Sequence, residues 1–572
     1  MDERPWHRHY DEGVPRSIAY EPLTLTDGLR RAARTWPDAP AIVFRGRVTR
    51  YARLVAQVDA LGAHLRAAGL QPGERVAVQL PNLPQSIVAV HGVLAAGGAV
   101  VQTNPLYSDD EIVAQWSDAG CTAAIVAGWL WGDRLAALRG RLPVRHWIST
   151  RLVDGLPAWM RPLARRRLAL SRPELLREPA GATRWHAALA QGRALPAPAG
   201  PALADVAVVQ YTGGTTGRSK GAQLTHASLS SNVQQMRAWM SGLHPGCETF
   251  LAALPYFHVF GLTVCMNLPL WVGAAIVVQP DPRDTEALLD LIERHAVTVF
   301  ALVPTMAQSV IGSSGIESRR LRSLRLCLSG SAPLPVDVLE RFEALTGARL
   351  FEGYGLTETS PLTHCNPLYG LRKTGSIGVP VSDTDARLLD PTDATREVAP
   401  GEVGELAVRG PQVMAGYWQR PEETAAVMRD GWFLTGDLAT RDDDGYFRIA
   451  GRKKEMIIVG GYKVYPDDVD RVLASHPAVA EAATIGVPDP RRGEIVKSFV
   501  VLRPGSSASA ADLAAHCRQH LAAFKVPREI ELRASLPKSA VLKVLRRELL
   551  REELERRAAG GDGGGTAVPS RG

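Results

Sequence analysis

The 572-residue sequence contains very little lysine, only nine residues among 66 basic ones. Its six cysteines form no CxxC pair and no His/Cys cluster at zinc spacing, so neither a disulfide framework nor a structural zinc site is expected. A reducing, cytoplasmic setting fits this cysteine usage. The net charge of +7 is modest for the length and argues against a dedicated nucleic-acid-binding protein. The first eight residues are too charged for a secretory signal.

One uncharged stretch, residues 249–280, has the length of a membrane span. Pro255, Gly261, Pro269 and Gly273 interrupt it. We therefore predict a loop, a buried helix and a strand within an α/β domain, with a membrane-spanning segment as the alternative.

The alternation of strand and helix patterns predicts the fold class. Apolar runs at 75–80 and 98–101 predict strands, and alanine- and leucine-rich stretches at 52–68 and 84–96 predict helices. Such alternation is typical of parallel sheets covered by helices. The chain is also longer than one hydrophobic core usually supports, so we expect two or more domains.

The second half of the chain shows different patterns. Residues 380–450 lose the helices, which predicts a small β-rich subdomain. Residues 455–557 predict a compact α+β domain, and the glycine-rich tail over 558–572 predicts disorder.

The most restricted stretch is 211–221, YTGGTTGRSKG, directly after a predicted strand at 206–210. Glycine allows a backbone with φ > 0 to approach a ligand closely. Backbone N–H groups and hydroxyls can then converge on phosphate oxygens, while Lys220, the first lysine of the chain, adds a mobile positive charge. The stretch is not a Walker loop, and a flexible surface loop is the alternative. The predicted phosphate-binding residues are Thr212, Gly213, Gly214, Thr215, Thr216, Gly217 and Lys220.

A cluster of aromatic residues surrounds His258 in the sequence LPYFHVFG, residues 254–261. Such a cluster suits a wall between an apolar pocket and a polar reaction centre. The alternative is an ordinary core histidine.

Two segments, 324–333 and 349–358, each predict a strand followed by a turn or loop and carry further candidates, because ligands bind at strand ends of parallel sheets. In the first loop, small residues leave room for a flat adenine. In the second, Tyr354 can stack on that ring, Thr357 can donate to phosphate, and Glu358 is a hard oxygen ligand suited to Mg²⁺. The predicted nucleotide-binding residues of the two loops are Gly330, Ser331, Ala332, Glu352, Gly353, Tyr354 and Gly355.

Asp437 ends the segment WFLTGD at 432–437. A carboxylate at a turn suits bidentate capture of ribose hydroxyls. The alternative is a residue that only stabilises the turn.

These segments, in this order, resemble the adenylate-forming (ANL) enzymes, which include acyl-CoA synthetases, firefly luciferases and peptide-synthetase adenylation domains. The resemblance runs from about residue 15 to about 555. It implies an α/β fold with a large N-terminal domain of parallel sheets plus a small β subdomain, and a smaller mobile C-terminal α+β lid. The implied division is an AMP-binding domain over 1–451, a hinge over 452–454, a lid over 455–557 and a tail over 558–572.

The same resemblance implies roles for single residues. Catalytic roles fall to Lys543, Lys220, Thr357 and His258. Asp437 would bind ribose, Arg452 the nucleotide, and Lys454 would be the pivot of the hinge. The passage for the pantetheine arm of coenzyme A would be formed by Gly460, Gly461 and Tyr462. The chain departs from the family at Leu542, where a glycine usually precedes the catalytic lysine.

The segments QTNPLYS at 102–108 and PYFHVFGLT at 255–263 resemble bacterial long-chain fatty-acid–CoA ligases. The implied reaction uses ATP, Mg²⁺ and coenzyme A and passes through an acyl-adenylate. A medium-chain or aryl-acid CoA ligase and a carrier-protein-directed acyl-AMP ligase are the alternatives within the family. A catalytically weakened acyl or nucleotide sensor, motivated by Leu542, is the alternative of another class.

Residues 134–177 carry eleven arginines against Asp154 and Glu174, interleaved with Trp147, Trp159 and several leucines. Two interpretations stand side by side: peripheral contact with an anionic membrane at the inner face of the cell, or a solvated basic helix and loop. The proline- and alanine-rich residues 178–201 predict a linker. The oligomeric state stays open, with a homodimer as one alternative.

Overall fold

The computed structural model describes residues 4–132, 134–212, 219–459, 462–489, 492–539 and 544–558. Within them the chain forms two compact units. The larger unit comprises Trp6–Asp385 and Arg409–Gly431. The smaller comprises Ala386–Val408 and the described part of Trp432–Gly572, together with the start of the chain.

The strands of the described residues, in chain order, are β1 (Pro40–Phe44), β2 (Arg47–Arg50), β3 (Arg75–Gln79), β4 (Ala99–Gln102), β5 (Cys121–Ala127), β6 (His146–Thr150), β7 (Thr183–Arg184), β8 (Val206–Thr212), β9 (Lys220–Thr225), β10 (Thr249–Ala252), β11 (Ala275–Val278), β12 (Val299–Leu302), β13 (Leu326–Ser329), β14 (Arg349–Gly355), β15 (Leu362–Cys365), β16 (Val379–Pro380), β17 (Asp385–Leu389), β18 (Gly404–Arg409), β19 (Gly416–Tyr417), β20 (Met428–Arg429), β21 (Trp432–Arg441), β22 (Phe447–Arg452), β23 (Ile457–Val459), β24 (Tyr462–Val464), β25 (Val479–Asp489), β26 (Gly493–Leu502) and β27 (Glu529–Leu532).

The α-helices of the same residues are α1 (Leu25–Thr35), α2 (Tyr51–Ala67), α3 (Pro84–Ala95), α4 (Asp109–Ala119), α5 (Gly128–Trp131), α6 (Arg134–Leu138), α7 (Arg161–Ser171), α8 (Trp185–Gly192), α9 (His226–Trp239), α10 (Leu268–Val272), α11 (Thr285–His295), α12 (Pro304–Ile311), α13 (Val336–Thr346), α14 (Pro421–Val427), α15 (Pro466–Ala474), α16 (Ala510–His520) and α17 (Arg546–Ala558). Thr225 caps α9, since its side chain accepts a hydrogen bond from the Ser228 N–H.

Two large sheets form the larger unit. The first has nine strands in the order β16-β15-β14-β13-β12-β10-β11-β1-β2, with parallel pairing from β14 through to β1. The second has eight strands in the order β19-β9-β8-β4-β3-β5-β6-β7, parallel from β8 to β7. The predicted α/β class with helix-covered parallel sheets is confirmed.

The smaller unit contains two sheets of its own. Strands β17, β18, β21 and β22 belong to one, in agreement with the predicted β-rich segment. The other, in the order β24-β23-β26-β25 with β27 on β26, packs with α15, α16 and α17 into an α+β arrangement. The predicted hinge and domain boundaries stay predictions. The predicted tail lies outside the described residues except for Ala558, the last residue of α17.

The uncharged stretch 249–280 folds as predicted, within the α/β domain and not as a membrane-spanning segment. It contains β10, a π-helix at Gly261–Asn267, α10 and β11. Among the residues that the structure describes, no helix is long and apolar enough to cross a membrane.

Two expectations about the segments before β8 need correction. Trp147 lies on β6 and is buried beside Trp116 and Trp131, with ring centres 5.8 and 5.1 Å away, so it is a core residue and cannot be a surface anchor. Residues 178–201 do not form a simple linker, because they contain β7 and α8, whose Trp185 is buried. In both places a single buried tryptophan outweighs the polar or proline-rich composition around it.

Candidate active site

A pocket opens at the carboxyl ends of β13 and β14 in the larger unit. Its position agrees with the rule that parallel sheets bind ligands beyond the carboxyl ends of their strands. One part of its wall is apolar and another carries hydroxyl, imidazole and phenol groups. The lining residues are Met236, His258, Val259, Phe260, Val264, Leu328, Gly330, Ser331, Gly353, Tyr354, Gly355, Leu356, Thr357, Pro361 and Leu362.

Two buried amides hold the aromatic segment around His258 in place. The Asn82 side chain donates to the Leu254 carbonyl at 2.8 Å and accepts from the Tyr256 N–H at 2.9 Å. The Gln210 side chain, on β8, donates to the Phe257 carbonyl at 2.9 Å. Because buried polar groups need partners, these bonds tie the loop to two different elements, and His258 reaches the pocket from a fixed backbone.

The turn after β13 is closely packed against its neighbours. A Cβ added to Gly330 would lie 3.2 Å from two ring carbons of Phe260 and 3.3 Å from the Gly353 carbonyl oxygen. Ser331 adopts φ of +70°, a left-handed conformation that is uncommon for a residue with a side chain. This narrow, small-residue wall faces the same pocket as Tyr354.

The loop after β14 presents Thr357 to the pocket and Glu358 beside it. Thr357 begins a short 3₁₀ helix, Thr357–Thr359. One Glu358 carboxylate oxygen accepts a hydrogen bond from the Tyr417 hydroxyl at 2.8 Å, and the Glu358 carbonyl accepts from the Met414 N–H. The carboxylate is therefore oriented by β19, whose residues pair with β9.

Lys220 begins β9, opposite Thr212 in the antiparallel ladder with β8. Its Nζ atom lies 2.6 Å from a Glu423 carboxylate oxygen and 5.1 Å from the centre of the Tyr417 ring. The predicted phosphate-binding residues Gly213, Gly214, Thr215, Thr216 and Gly217 lie outside the described residues.

Tyr211, near the end of β8, anchors the strand that leads into the predicted phosphate-binding loop. Its hydroxyl donates to Asp118 at 2.6 Å, and the same aspartate pairs with Arg420 at 2.5 Å. Burial, followed by the bond to Asp118, raises the pKa of the Tyr211 hydroxyl, so the phenol stays protonated.

The smaller unit holds the second group of predicted residues. Asp437 is buried on β21 and pairs with Arg452 on β22, with 2.5 Å between Oδ1 and Nε. Lys453 pairs with Glu405 at 2.8 Å, whereas Lys454 is exposed in the 3₁₀ turn Lys453–Glu455.

Two further expectations concern the same unit. Tyr462 is exposed and stacks on Phe524, with ring centres 4.8 Å apart. Gly460, Gly461, Leu542 and Lys543 lie outside the described residues.

Arg546, at the start of α17, was not predicted from the sequence. Its guanidinium contacts Glu455 at 2.9 Å and Asp470 at 2.6 Å, and also pairs with Asp467. Burial is the largest influence on Asp470 and raises the pKa of its carboxyl to about 6. Arg546 follows Lys543 by three residues, so this cluster ties the chain just after the predicted catalytic lysine to the end of the predicted hinge.

The pocket thus brings together His258, Gly330, Ser331, Gly353, Tyr354, Gly355 and Thr357 from three separate stretches of sequence. Ala332 and Glu352 are not among its lining residues. Sequence reasoning missed Asn82, Gln210, Tyr417 and Met236. The first two are ordinary amides far away in the chain, and no local pattern marks them.

In the described residues, no cluster of three or more His, Cys, Asp or Glu side chains could hold a metal ion. A Mg²⁺ ion bound through one carboxylate and substrate phosphates needs no such cluster. The Glu358 carboxylate, oriented by Tyr417 next to the pocket, fits that kind of site.

Comparison with known proteins defines the class. Residues 29–418 match the family of AMP-binding enzymes, and residues 468–543 match the AMP-binding enzyme C-terminal domain. The chain belongs to this family of adenylate-forming enzymes.

Individual relatives resemble it over nearly their whole lengths. The chain is 41% identical to the long-chain-fatty-acid–CoA ligase of Bacillus subtilis, covering 97% of this chain and 99% of that protein. Among solved structures, the anthranilate CoA ligase AuaEII in complex with anthranoyl-AMP has a TM-score of 0.83 at 26% identity, covering 95% and 99% of the two chains. ATP-bound MatB from Rhodopseudomonas palustris has a TM-score of 0.76 at 30% identity, covering 93% and 99%.

Proposed function

We propose that this protein is an ATP-dependent long-chain-fatty-acid–CoA ligase. The observation that carries the proposal is the pocket at the ends of β13 and β14, where an apolar wall meets a small-residue turn, an aromatic ring and a threonine hydroxyl. A substrate with an apolar chain and a reactive carboxylate next to a nucleotide matches such a mixed lining. The full-length identity of 41% to a ligase of this name supports the same conclusion.

The reaction has two steps. A carboxylate oxygen of the fatty acid attacks the α-phosphorus of ATP, the bond to the β-phosphate oxygen breaks, and pyrophosphate leaves. The sulfur of coenzyme A, after losing its proton, then attacks the acyl carbon and AMP leaves as the phosphate–acyl bond breaks. No protein side chain forms a covalent bond, so catalysis consists of positioning and electrostatic stabilisation.

The residues of the larger unit position the first step. Gly330 and Ser331 form the wall on which adenine lies, and Tyr354 covers its face. Thr357 donates a hydrogen bond to the phosphate. His258 separates this polar end from the apolar part, and Met236, Val264 and Leu362 contact the acyl chain.

Lys220 and Glu358 serve the phosphates. Lys220 exchanges its pairing with Glu423 for a phosphate oxygen. The same phosphates are bound by Thr212 and by the loop residues Gly213, Gly214, Thr215, Thr216 and Gly217. Glu358 would hold Mg²⁺, which would neutralise negative charge on the phosphates when bound. Glu352 and Ala332, next to Gly353 and Ser331 in the same two segments, stay predicted nucleotide-binding residues.

The smaller unit serves both half-reactions. Asp437 binds the ribose hydroxyls, and Arg452 binds the nucleotide. Lys454 is the pivot of a hinge over 452–454, and Lys543 stabilises the charge that develops during adenylation. Gly460, Gly461 and Tyr462 form the passage for the pantetheine arm of coenzyme A.

An aryl-acid CoA ligase is the second candidate. The specific observation in its favour is the TM-score of 0.83 to the anthranilate CoA ligase. The two candidates predict different acids, and one assay separates them.

That assay measures products with Mg·ATP, with and without coenzyme A, for acids from octanoate to stearate and for benzoate and anthranilate. We expect acyl-CoA and AMP, with the highest kcat/KM for long-chain acids. A preference for the aromatic acids would favour the second candidate. An acyl-AMP that persists despite coenzyme A would point to a carrier-protein acceptor, and no turnover of any acid would favour a sensor.

A further inference from the structure

The structure divides the basic segment 134–177 into two parts that differ in their ionic partners. In the first part every arginine from 134 to 151, except Arg139, has an acidic partner: Arg134 pairs with Asp109, Arg141 with Asp110, Arg145 with Glu74, and Arg151 with Asp154 and Glu178. These arginines serve the fold, and they need no external anion.

The second part is α7 with the turn before it, Ala158–Met160. In the described residues no ion pair involves Arg165, Arg166 or Arg167, and all three are exposed. No residue of α7 is buried, and the helix packs mainly against the short turns that flank it. Arg161 fixes the start of the helix, since its guanidinium donates to the Leu156 and Asp154 carbonyls at 3.1 and 3.3 Å.

Large apolar side chains are exposed on this helix and on the turn before it. Trp159 is 79% exposed, Leu163 70% and Leu170 83%. Leu163 and Leu170 are seven residues apart, which places them on one face of the helix, and Trp159 precedes Leu163 by about one turn. Apolar side chains of this size that cluster on a surface mark a contact site.

We propose that the surface formed by Trp159, Leu163, Arg166, Arg167 and Leu170, the α7 surface, docks on an anionic lipid bilayer, and that Arg165, on the opposite side of the helix, adds its charge to the local field. Leucine and tryptophan insert into the interfacial region while the arginines contact lipid phosphates. The proposal deepens the proposed function, on which its purpose rests, because a long-chain acid partitions into bilayers and docking brings the enzyme to its substrate.

The composition of the α7 surface argues against two other binding partners, a second copy of this chain and a nucleic acid. A second copy of this chain would bring two clusters of arginines together in a symmetric contact, and like charges repel. A nucleic acid would satisfy the arginines but leave the apolar stripe in water. An anionic bilayer satisfies both features at once.

The test is co-sedimentation of the full chain with vesicles of phosphatidylglycerol and phosphatidylcholine, or of phosphatidylcholine alone, at low and high salt. We expect binding to the anionic vesicles that weakens as salt rises. Arg165→Gln/Arg166→Gln/Arg167→Gln should weaken that binding on the order of 100-fold at low salt. The matched control removes three exposed arginines of α1, α11 and α13: Arg34→Gln/Arg294→Gln/Arg341→Gln should change it less than threefold, as screened long-range charge would.

The apolar contribution has its own pair of variants. Trp159→Ala/Leu163→Ala/Leu170→Ala should weaken binding at high salt, where charge is screened, whereas Leu195→Ala/Val336→Ala/Leu532→Ala should not. Equal losses in the α7 and control variants, absence of binding to anionic vesicles, or binding only to an acidic protein or nucleic acid would each overturn the proposal.

Activity on octanoate without vesicles separates this proposal from the proposed function. The α7 variants should keep that activity, which also shows that they fold. If the wild-type chain binds vesicles but ligates no acid, the proposed function fails while the docking surface stands.

Discussion

The ammonium group of Lys220 lies 2.6 Å from the carboxylate of Glu423 and over the ring of Tyr417, whose hydroxyl binds Glu358. The predicted phosphate-binding lysine and the predicted Mg²⁺ ligand are therefore linked by one tyrosine. Lys220 is only partly exposed, and we propose that it exchanges Glu423 for a phosphate oxygen when the nucleotide binds.

This exchange predicts opposite effects of two substitutions on the KM for ATP. Glu423→Gln should lower it two- to fivefold, because a partly exposed ion pair contributes about 1 kcal/mol at most. Lys220→Met should raise it by roughly 10- to 100-fold, since a charged hydrogen bond to phosphate is lost. Steady-state kinetics decide, with the exposed neighbour Glu422→Gln as the control. A rise with Glu423→Gln would show that the glutamate positions the lysine instead of competing for it.

Substitution of two pocket glycines should have different effects, on stability at Gly355 and on the KM for ATP at Gly330. A Cβ on Gly355 would lie 1.8 Å from the Pro361 carbonyl oxygen, so the backbone must move, and Gly355→Ala should lower the free energy of unfolding by about 3 kcal/mol or more. A Cβ on Gly330 would meet the Phe260 ring at 3.2 Å, and that ring can shift into the pocket. Gly330→Ala should therefore leave stability within about 1 kcal/mol and raise the KM for ATP. Urea unfolding and steady-state kinetics measure both variants. A large loss of stability in Gly330→Ala, with a raised KM for ATP but unchanged stability in Gly355→Ala, would contradict this assignment.

A buried histidine predicts a dependence of stability on pH. His91 lies within α3, and burial lowers its pKa to about 3. The unfolded chain binds a proton there below about pH 6.5 and the folded chain does not, so stability falls as the pH drops from 6.5 toward 3. Between pH 7.5 and pH 5 this histidine should lower the free energy of unfolding by about 2 kcal/mol.

His91→Gln should therefore reduce the loss of unfolding free energy between pH 7.5 and pH 5 by about 2 kcal/mol. Urea unfolding at the two pH values measures it, and the exposed His244→Gln serves as the control. An unchanged pH dependence in His91→Gln would contradict the assigned cause.

Lys543 should serve the first half-reaction alone. Lys543→Ala is expected to lower fatty-acid-dependent ATP–pyrophosphate exchange by more than about 100-fold, since it removes a charge that stabilises the transition state. Conversion of supplied acyl-AMP to acyl-CoA should change only a few-fold. The control is Lys538→Ala, which removes a nearby lysine that pairs with Glu481 at 2.7 Å. Loss of both half-reactions in Lys543→Ala would refute this division of labour.

The sequence predicted the features that local chemistry encodes. Strand–helix alternation predicted the parallel sheets, and hydroxyl- and glycine-rich loops after strands predicted Gly330, Ser331, Tyr354 and Thr357 in one pocket. Long-range hydrogen bonds were not predictable. Nothing local marks Asn82 as the anchor of the His258 loop, because its partners lie far away in the chain.

Composition misled where burial decided the outcome. Trp147 lies in an arginine-rich stretch, yet it belongs to a core of three tryptophans. Arg546 carries no motif of its own, and its role emerges only when Glu455, Asp467 and Asp470 surround it.

If a fatty-acid carboxylate attacks the α-phosphorus of ATP, one of its oxygen atoms must end in AMP. The most direct measurement uses palmitate labelled with ¹⁸O in its carboxylate, together with ATP, Mg²⁺ and coenzyme A, followed by mass spectrometry of the nucleotide and phosphate products. The account predicts one ¹⁸O atom in AMP and none in pyrophosphate. Release of ADP with ¹⁸O in inorganic phosphate, or AMP free of label, would contradict it.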